Sequence, residues 1–244
     1  MKYFDSHIHI TEPSLEGIEA LLKHMDDQKN MVGGVLILNT MEEVEVVSMN
    51  LNKIPDNLVI VPYYNMPDNY PERIKQSKWV KIHSRISRLT VSDIPGVISL
   101  LKSKGDSIAG FIVDSFPWGT GIEYNISLPL TIKLATEFPD KSVLVAHGGG
   151  YESWQFRAHA GGLKNVFFDF AISTKYYEDT EYMKPLAKYL KHSPERVVFG
   201  TDWPFGEAKQ HIKEYQKMAD IALMKQEDLE RIMLENSRKL WNLK

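Results

Sequence analysis

Eight short apolar runs, separated by stretches with helical periodicity, limit what this chain can fold into. They lie at residues 3–10, 33–39, 58–63, 79–83, 108–114, 142–147, 166–169 and 196–202. Runs of four to eight apolar residues that end on polar ones read as strands buried on both faces, as in a parallel sheet. Between them, apolar residues recur at three-to-four spacing. Leu15, Ile18, Leu21, Leu22 and Met25 follow a capping Ser14, and Val44, Val47 and Leu51 come after the second run. Ile94, Val97, Ile98 and Leu101, then Leu130, Leu134 and Phe138, then Tyr182, Leu186 and Leu190 continue the pattern. Strand followed by helix, eight times over, predicts an α/β chain folded as one closed (β/α)8 barrel spanning residues 1–244. An extra C-terminal helix, part of a helical hairpin over about 208–241, completes the expectation.

Composition removes several function classes. With 0 cysteines, disulfides and thiolate metal sites are excluded. A formal net charge of -3 leaves no electrostatic footprint for nucleic acid or an anionic membrane. The N-terminus enters a strand directly, and no apolar run reaches spanning length, which predicts a cytoplasmic protein. No Gly-x-Gly-x-x-Gly turn follows the first strand, against a dinucleotide-binding fold. The expected partner is a small-molecule substrate. Loop Trp and Tyr residues serve a homodimer interface as readily as a pocket.

Polar residues gather where the predicted strands end. In a parallel barrel all strand C-termini open on one mouth, where the chemistry sits. The strand ends carry His7 and His9, Asn39, Lys81 and His83, Asp114, His147, and Asp202. His7 and His9 are two apart, so a strand points both the same way, and two imidazoles on one rigid strand make half a metal site. Asp5 shares that face and suits the second nitrogen of a ligand histidine. Period-two phase puts Gly110, Ile112 and Asp114 on one face, Val143, Val145 and His147 on another, and Val198, Gly200 and Asp202 on a third. Each inward row would then end in a titratable group at one rim.

Four motifs resemble those of the amidohydrolase superfamily, and within it the amidohydrolase-related group of metal-dependent hydrolases and decarboxylases. They are Asp5-Ser6-His7-Ile8-His9, Val80-Lys81-Ile82-His83, Val145-Ala146-His147-Gly148-Gly149-Gly150 and Phe199-Gly200-Thr201-Asp202-Trp203-Pro204-Phe205. The closing segment from Leu234 to Trp241 also looks like that group's last helix. The resemblance implies that His7, His9 and Asp202 bind a divalent metal, zinc first and manganese as the alternative. It further implies that His147 is general base or electrophile and that Asp202 shares the proton handling. The group's usual fifth-strand histidine ligand is replaced here by Asp114, taken as an oxygen ligand in its place.

Lys81 and His83 are candidates for substrate binding. Lys81 would meet a substrate carboxylate, and His83 either lines the pocket or packs. Trp118, Trp203, Tyr63 and Tyr64, just past strand ends, would wall the pocket or pack at its rim. Asp169, at the end of the seventh run, reads as a local hydrogen-bonding residue. The expected activity is hydrolysis of a small polar substrate by a metal-activated water. Non-oxidative decarboxylation at the same metal is one alternative, and a non-catalytic barrel with a degraded site is the other.

Overall fold

Seven of the eight apolar runs form parallel strands. They are β1 (Tyr3–Ile8), β2 (Met31–Ile37), β3 (Leu58–Val61), β4 (Trp79–Ile82), β5 (Gly110–Asp114), β6 (Ser142–Ala146) and β7 (Val166–Phe168). The computed structural model describes every residue except Asp68, Trp118 and Lys244. Helices α1 (Leu15–Asp27), α2 (Met41–Met49), α3 (Glu72–Lys75), α4 (Ile94–Ser103), α5 (Ser127–Glu137) and α6 (Ser153–Ala160) alternate with the strands. After β7 come α7 (Ser173–Tyr177), α8 (Met183–His192), α9 (Ala208–Ala222), α10 (Gln226–Glu230) and α11 (Asn236–Leu240). Ser14 caps α1 as expected, its hydroxyl accepting from Gly17 N at 3.0 Å. None of the described helices is long and apolar enough to cross a membrane.

The strands fall into two ladders, β1-β2-β3 and β4-β5-β6-β7. Hydrogen bonds across the seams carry the ring round between them. Lys81 N donates to Pro62 O at 2.8 Å and Tyr64 N to Lys81 O at 2.9 Å, which joins β3 to β4. The eighth apolar run, expected as a strand over 196–202, is not a regular one. Val198 N bonds Phe168 O, but Phe199 N turns to Ile232 O, and Thr201 N goes to the Asp5 carboxylate. With those donors committed elsewhere, a continuous ladder cannot form. The segment still meets β1 through Ser6 N to Phe199 O and Asp202 N to His7 O, both 2.8 Å.

The barrel interior is filled by Phe4, Val35, Ile37, Val61, Trp79, Ile112, Leu144, Ala146 and Val198, with Trp241 closing one end. Trp241 enters from the turn after α11. Its ring centroid lies 4.3 Å from that of Trp79, and its Nε1 donates to Ser6 Oγ. The C-terminal helix therefore plugs the floor of the barrel. On the outside, Val80, Ile82, Phe111, Val113, Val143 and Val145 pack under α4, α5, α8 and α9. Ile8, Leu36, Leu58 and Ile60 pack under α1 and α2. This split corrects the expected phase of β6, because Leu144 and Ala146 face inward while Val143 and Val145 face the helices.

Candidate metal centre

At the strand C-termini, β1 carries a register shift between Asp5 and Ile8, and His7 within it and His9 just past it bring their rings together at the mouth. Their Nε2 atoms stand 3.2 Å apart. Asp202, from the irregular eighth segment, brings Oδ1 to 3.3 Å from His7 Nε2 and 3.1 Å from His9 Nε2. Asp202 and His147 both hold left-handed backbone, with φ of 62° and 66°. Non-glycine residues seldom adopt that region, and its strain collects at functional sites. For His147 it solves the phase problem. The row of β6 that it extends faces outward, and the left-handed turn swings the imidazole back over the mouth. The glycines that follow make the turn sterically open. At Gly149, φ is 87°, and a Cβ would lie 2.5 Å from the Phe156 ring.

Single donor atoms of His7, His147 and Asp202 all lie within 4.8 Å of one another. Residues 7, 9, 147 and 202, distant in sequence, thus meet at one point, as the strand-end pattern predicts. Asp114 also reaches the mouth, but it stands outside this group. Its Oδ2 is 3.1 Å from His147 Nε2 and 3.6 Å from both Lys81 Nζ and His83 Nε2, while Oδ1 is 3.3 Å from Arg85 Nη2. The carboxylate expected as the substitute ligand is engaged by cations and by the histidine it pairs with.

Trp203 departs further from expectation. Its ring stacks on His24 of α1, centroids 4.5 Å apart, and it is buried among Ile8, Ile18 and Leu21, so it is core and not pocket wall. Tyr64 is likewise buried in the outer core, and Tyr63 packs against it with its hydroxyl on Ser87. The expectation for Trp118 falls outside the described residues.

Asp5, expected to orient a ligand histidine, turns to Thr201. Asp5 does not reach an imidazole; it accepts from Thr201 N and Thr201 Oγ1 and from its neighbour's amide, His7 N. Asp169 takes the part instead. Its Oδ2 lies 3.2 Å from His7 Nδ1, while Oδ1 accepts from His147 N and Ala171 N. The signal was present in the sequence. Phe167 and Asp169 repeat the inward phase of Ile112 and Asp114, but the strand is only three residues long.

A sequence profile of the amidohydrolase family matches residues 120–243, just over half of the chain and the half that holds His147, Asp169 and Asp202. The chain belongs to the amidohydrolase family. Known structures agree on the fold. An uncharacterised TIM-barrel protein from Bordetella bronchiseptica superposes with a TM-score of 0.72 at 14% identity, covering 100% of this chain and 99% of that one. A dihydroxybenzoic acid decarboxylase from Polaromonas sp., solved with bound manganese and the inhibitor 2-nitroresorcinol, gives 0.61 at 12% identity, covering 99% and 97%. A TatD homologue from Escherichia coli K12 gives 0.57 at 12% identity, covering 99% and 98%. No curated protein matches in sequence.

In this amidohydrolase the donor set fits a divalent cation on its own chemistry. His7 Nδ1 faces a carboxylate oxygen, and His9 Nδ1 faces Ile37 O at 2.9 Å. A carboxylate can only accept, so His7 Nδ1 carries the proton and its Nε2 presents a lone pair; at His9 the Ile37 carbonyl, closer than the Asn39 side-chain amide at 3.3 Å, favours the same tautomer. Two imidazole lone pairs and a carboxylate oxygen then converge within 3.3 Å with no proton to share. Such a cluster of acceptors is relieved by a cation. Two nitrogens and one oxygen suit zinc or a similar divalent ion.

Electrostatics separate the two kinds of histidine. Burial pushes His7 down to about 4, even against Asp169 and Asp202, so it is neutral at pH 7. For Asp202, burial works to raise the carboxyl, but the imidazoles around it bring it below its usual range, and of these His147 is the one that carries charge. His147 goes the other way. Burial opposes its charge, yet Asp114 above all, with Asp202 and Asp169, lifts it to about 9. It donates Nδ1–H to Ala171 O at 2.8 Å and Nε2–H to Asp114, so it is an acid at neutral pH. Of the two expected roles, base and electrophile, a protonated imidazole fits the second. Lys81 is fully buried, and among the described residues its Nζ has no hydrogen-bond partner and approaches Asp114 at 3.6 Å.

Proposed function

We propose that this amidohydrolase is a metal-dependent hydrolase acting on a small polar substrate at the mouth of the barrel. The observation that carries the reading is the convergence of His7 Nε2, His9 Nε2 and Asp202 Oδ1 within 3.3 Å, with both Nδ1 protons tied to acceptors. His7, His9 and Asp202 would hold the ion, with zinc first and manganese as the alternative. When bound, a divalent cation supplies Lewis-acid activation of water or of the substrate oxygen. Asp114 stands back from it and keeps His147 charged.

The chain's own groups then divide the work. His147, protonated and held by Asp114 and Ala171 O, delivers a proton to the leaving group. Asp202 accepts the proton released when water adds, since its carboxylate is ionised at any pH near neutral. Lys81 offers three N–H donors that find no hydrogen-bond partner among the described residues, which suits an anionic substituent of the substrate. His83, pushed down to about 4 by burial, stays neutral beside Asp114 and lines the same wall.

A second reading rests on the same protonated imidazole. Decarboxylation replaces carbon dioxide by a proton on carbon, and His147 is placed to supply one. Assays on carboxylate, ester, lactone and amide panels with the Zn2+- or Mn2+-loaded protein separate the two. A new carboxylate without CO2 supports hydrolysis, and released CO2 supports decarboxylation. Binding of less than about a tenth of an equivalent of either ion on titration, with no turnover, would sink both.

A further inference from the structure

The seam between β7 and segment 197–203 is the weakest joint in the ring. One backbone hydrogen bond crosses it, Val198 N to Phe168 O at 2.9 Å, at a single bridge between Phe168 and Val197. Tyr215, in the middle of α9, spans the gap with its hydroxyl. Oη accepts from Phe170 N and donates to Val198 O, each at 3.0 Å. The side chain is fully buried, its ring against Phe170 and Phe199. It supplies from a helix what the strand ladder leaves out.

What it grips gives the contact its meaning. The Phe170 peptide lies between Asp169, whose Oδ2 faces His7 Nδ1, and Ala171, whose carbonyl accepts from His147 Nδ1. Asp169 Oδ1 also holds His147 N and Ala171 N. On the other side, Val198 begins the segment that ends in Asp202. One phenol hydroxyl therefore fixes the strand that orients the imidazoles against the strand that brings the carboxylate.

We infer that Tyr215 is a positioning residue for the metal centre, holding Asp169 where it keeps the His7 proton on Nδ1 and the His7 Nε2 lone pair facing the mouth. The effect on affinity rests on the metal reading above; the effect on the His7 tautomer does not. A ligand's hydrogen-bond partner commonly controls metal affinity by 10- to 100-fold, and Tyr215 acts one step behind such a partner.

The test compares Tyr215→Phe with Tyr189→Phe. Tyr189 is also buried, packs on Phe168 and on the Phe170 ring that Tyr215 meets too, and donates its hydroxyl to Ser153 O at the start of α6, not to the backbone around Asp169. In metal-free protein at pH 7, 15N imidazole spectra read the His7 tautomer, and competition titration with Zn2+ reads affinity. The expected result is an Nδ1–H tautomer for His7 in wild type and Tyr189→Phe, and a mixed population in Tyr215→Phe. Zn2+ affinity falls about tenfold in Tyr215→Phe alone. Wild-type tautomer and affinity in Tyr215→Phe, or equal losses in both variants, overturn the inference. If wild type binds no Zn2+, the metal reading fails and the tautomer result alone decides for or against Tyr215. Should Tyr215→Phe not fold, amide exchange in wild type serves: the Phe170 amide should be among the most protected and slow further with Zn2+, and a rapidly exchanging one overturns the inference.

Discussion

His7 Nε2 and His9 Nε2 face each other at 3.2 Å, and neither has a proton to give the other. Each ring's single proton sits on Nδ1, drawn there by Asp169 and by the Ile37 carbonyl. Asp202 Oδ1 completes a cluster of three acceptors. A cluster of this kind is tolerated in a fold because it is useful to a ligand, and its cost shows when the ligand is withheld.

Asp202→Asn tests that trade directly. The amide NH2 can donate to either Nε2, where the carboxylate could only accept, so the metal-free variant keeps or raises the wild-type melting temperature. The rise in melting temperature expected of wild type with saturating Zn2+ should vanish. Scanning calorimetry with and without the ion reads both. A variant that still gains stability from Zn2+ would remove Asp202 from the ligand set.

The Asp114–His147 pair makes a prediction about pH. His147 is raised from 6.5 to about 9, so its contribution is complete below pH 6.5 and is lost as pH climbs through 9. Over that window the metal-free protein should lose on the order of 3 kcal/mol of unfolding free energy. Asp5, raised by burial to about 7, titrates below most of it. Urea unfolding at pH 7 and pH 9.5 measures the loss, and His147→Gln should flatten the difference.

Among the described residues, Asp114 is the counter-charge that Lys81 meets. Asp114→Asn leaves a fully buried ammonium without a carboxylate, at a cost of about 3–5 kcal/mol. Lys81→Met in the same chain should recover the part owed to Lys81, since an apolar side chain of similar length has no charge to leave unpaired, while the part that His147 and Arg85 lose with the carboxylate remains. Denaturant midpoints for the two single variants and the double variant decide. Additive losses would mean that the two groups do not interact.

Asp169→Asn keeps the shape of the side chain and removes the charge that orients His7. Metal affinity should drop by about 10- to 100-fold. The remaining amide oxygen can still accept from His147 N and Ala171 N, so the fold should persist. Isothermal titration with Zn2+ and Mn2+ checks it, and an unchanged affinity would mean that His7 needs no partner.

Much of the site was legible in one dimension. His7 and His9 on one strand, and Asp202 and His147 after later ones, were readable because a parallel barrel brings strand C-termini together whatever the helices between them do. Asp114 reaches the mouth from the end of β5, but its partners there are not legible in the sequence, since spacing says nothing about which cation a carboxylate meets. The phase of β6 was read from Val143, Val145 and His147, a row that faces the helices. The left-handed backbone at His147 carries it inward, and period-two counting cannot see that. Trp203 looked like a pocket residue by its position, yet the contact that buries it comes from His24, 179 positions earlier.

By itself the sequence determined the class of the fold. Eight buried runs can satisfy their backbone groups only by pairing with one another, and the helical stripes between them make that pairing parallel. It also determined which residue types reach the mouth. Only the tertiary structure decided how the ring closes and which groups face which. Asp5 spends its carboxylate on Thr201, so the eighth segment leaves the ladder and Asp202 gains its left-handed turn beside the two imidazoles. The reason is physical: secondary-structure periodicity is a local property of the backbone, whereas a buried carboxylate binds whichever donor the assembled fold sets within about 3 Å of it.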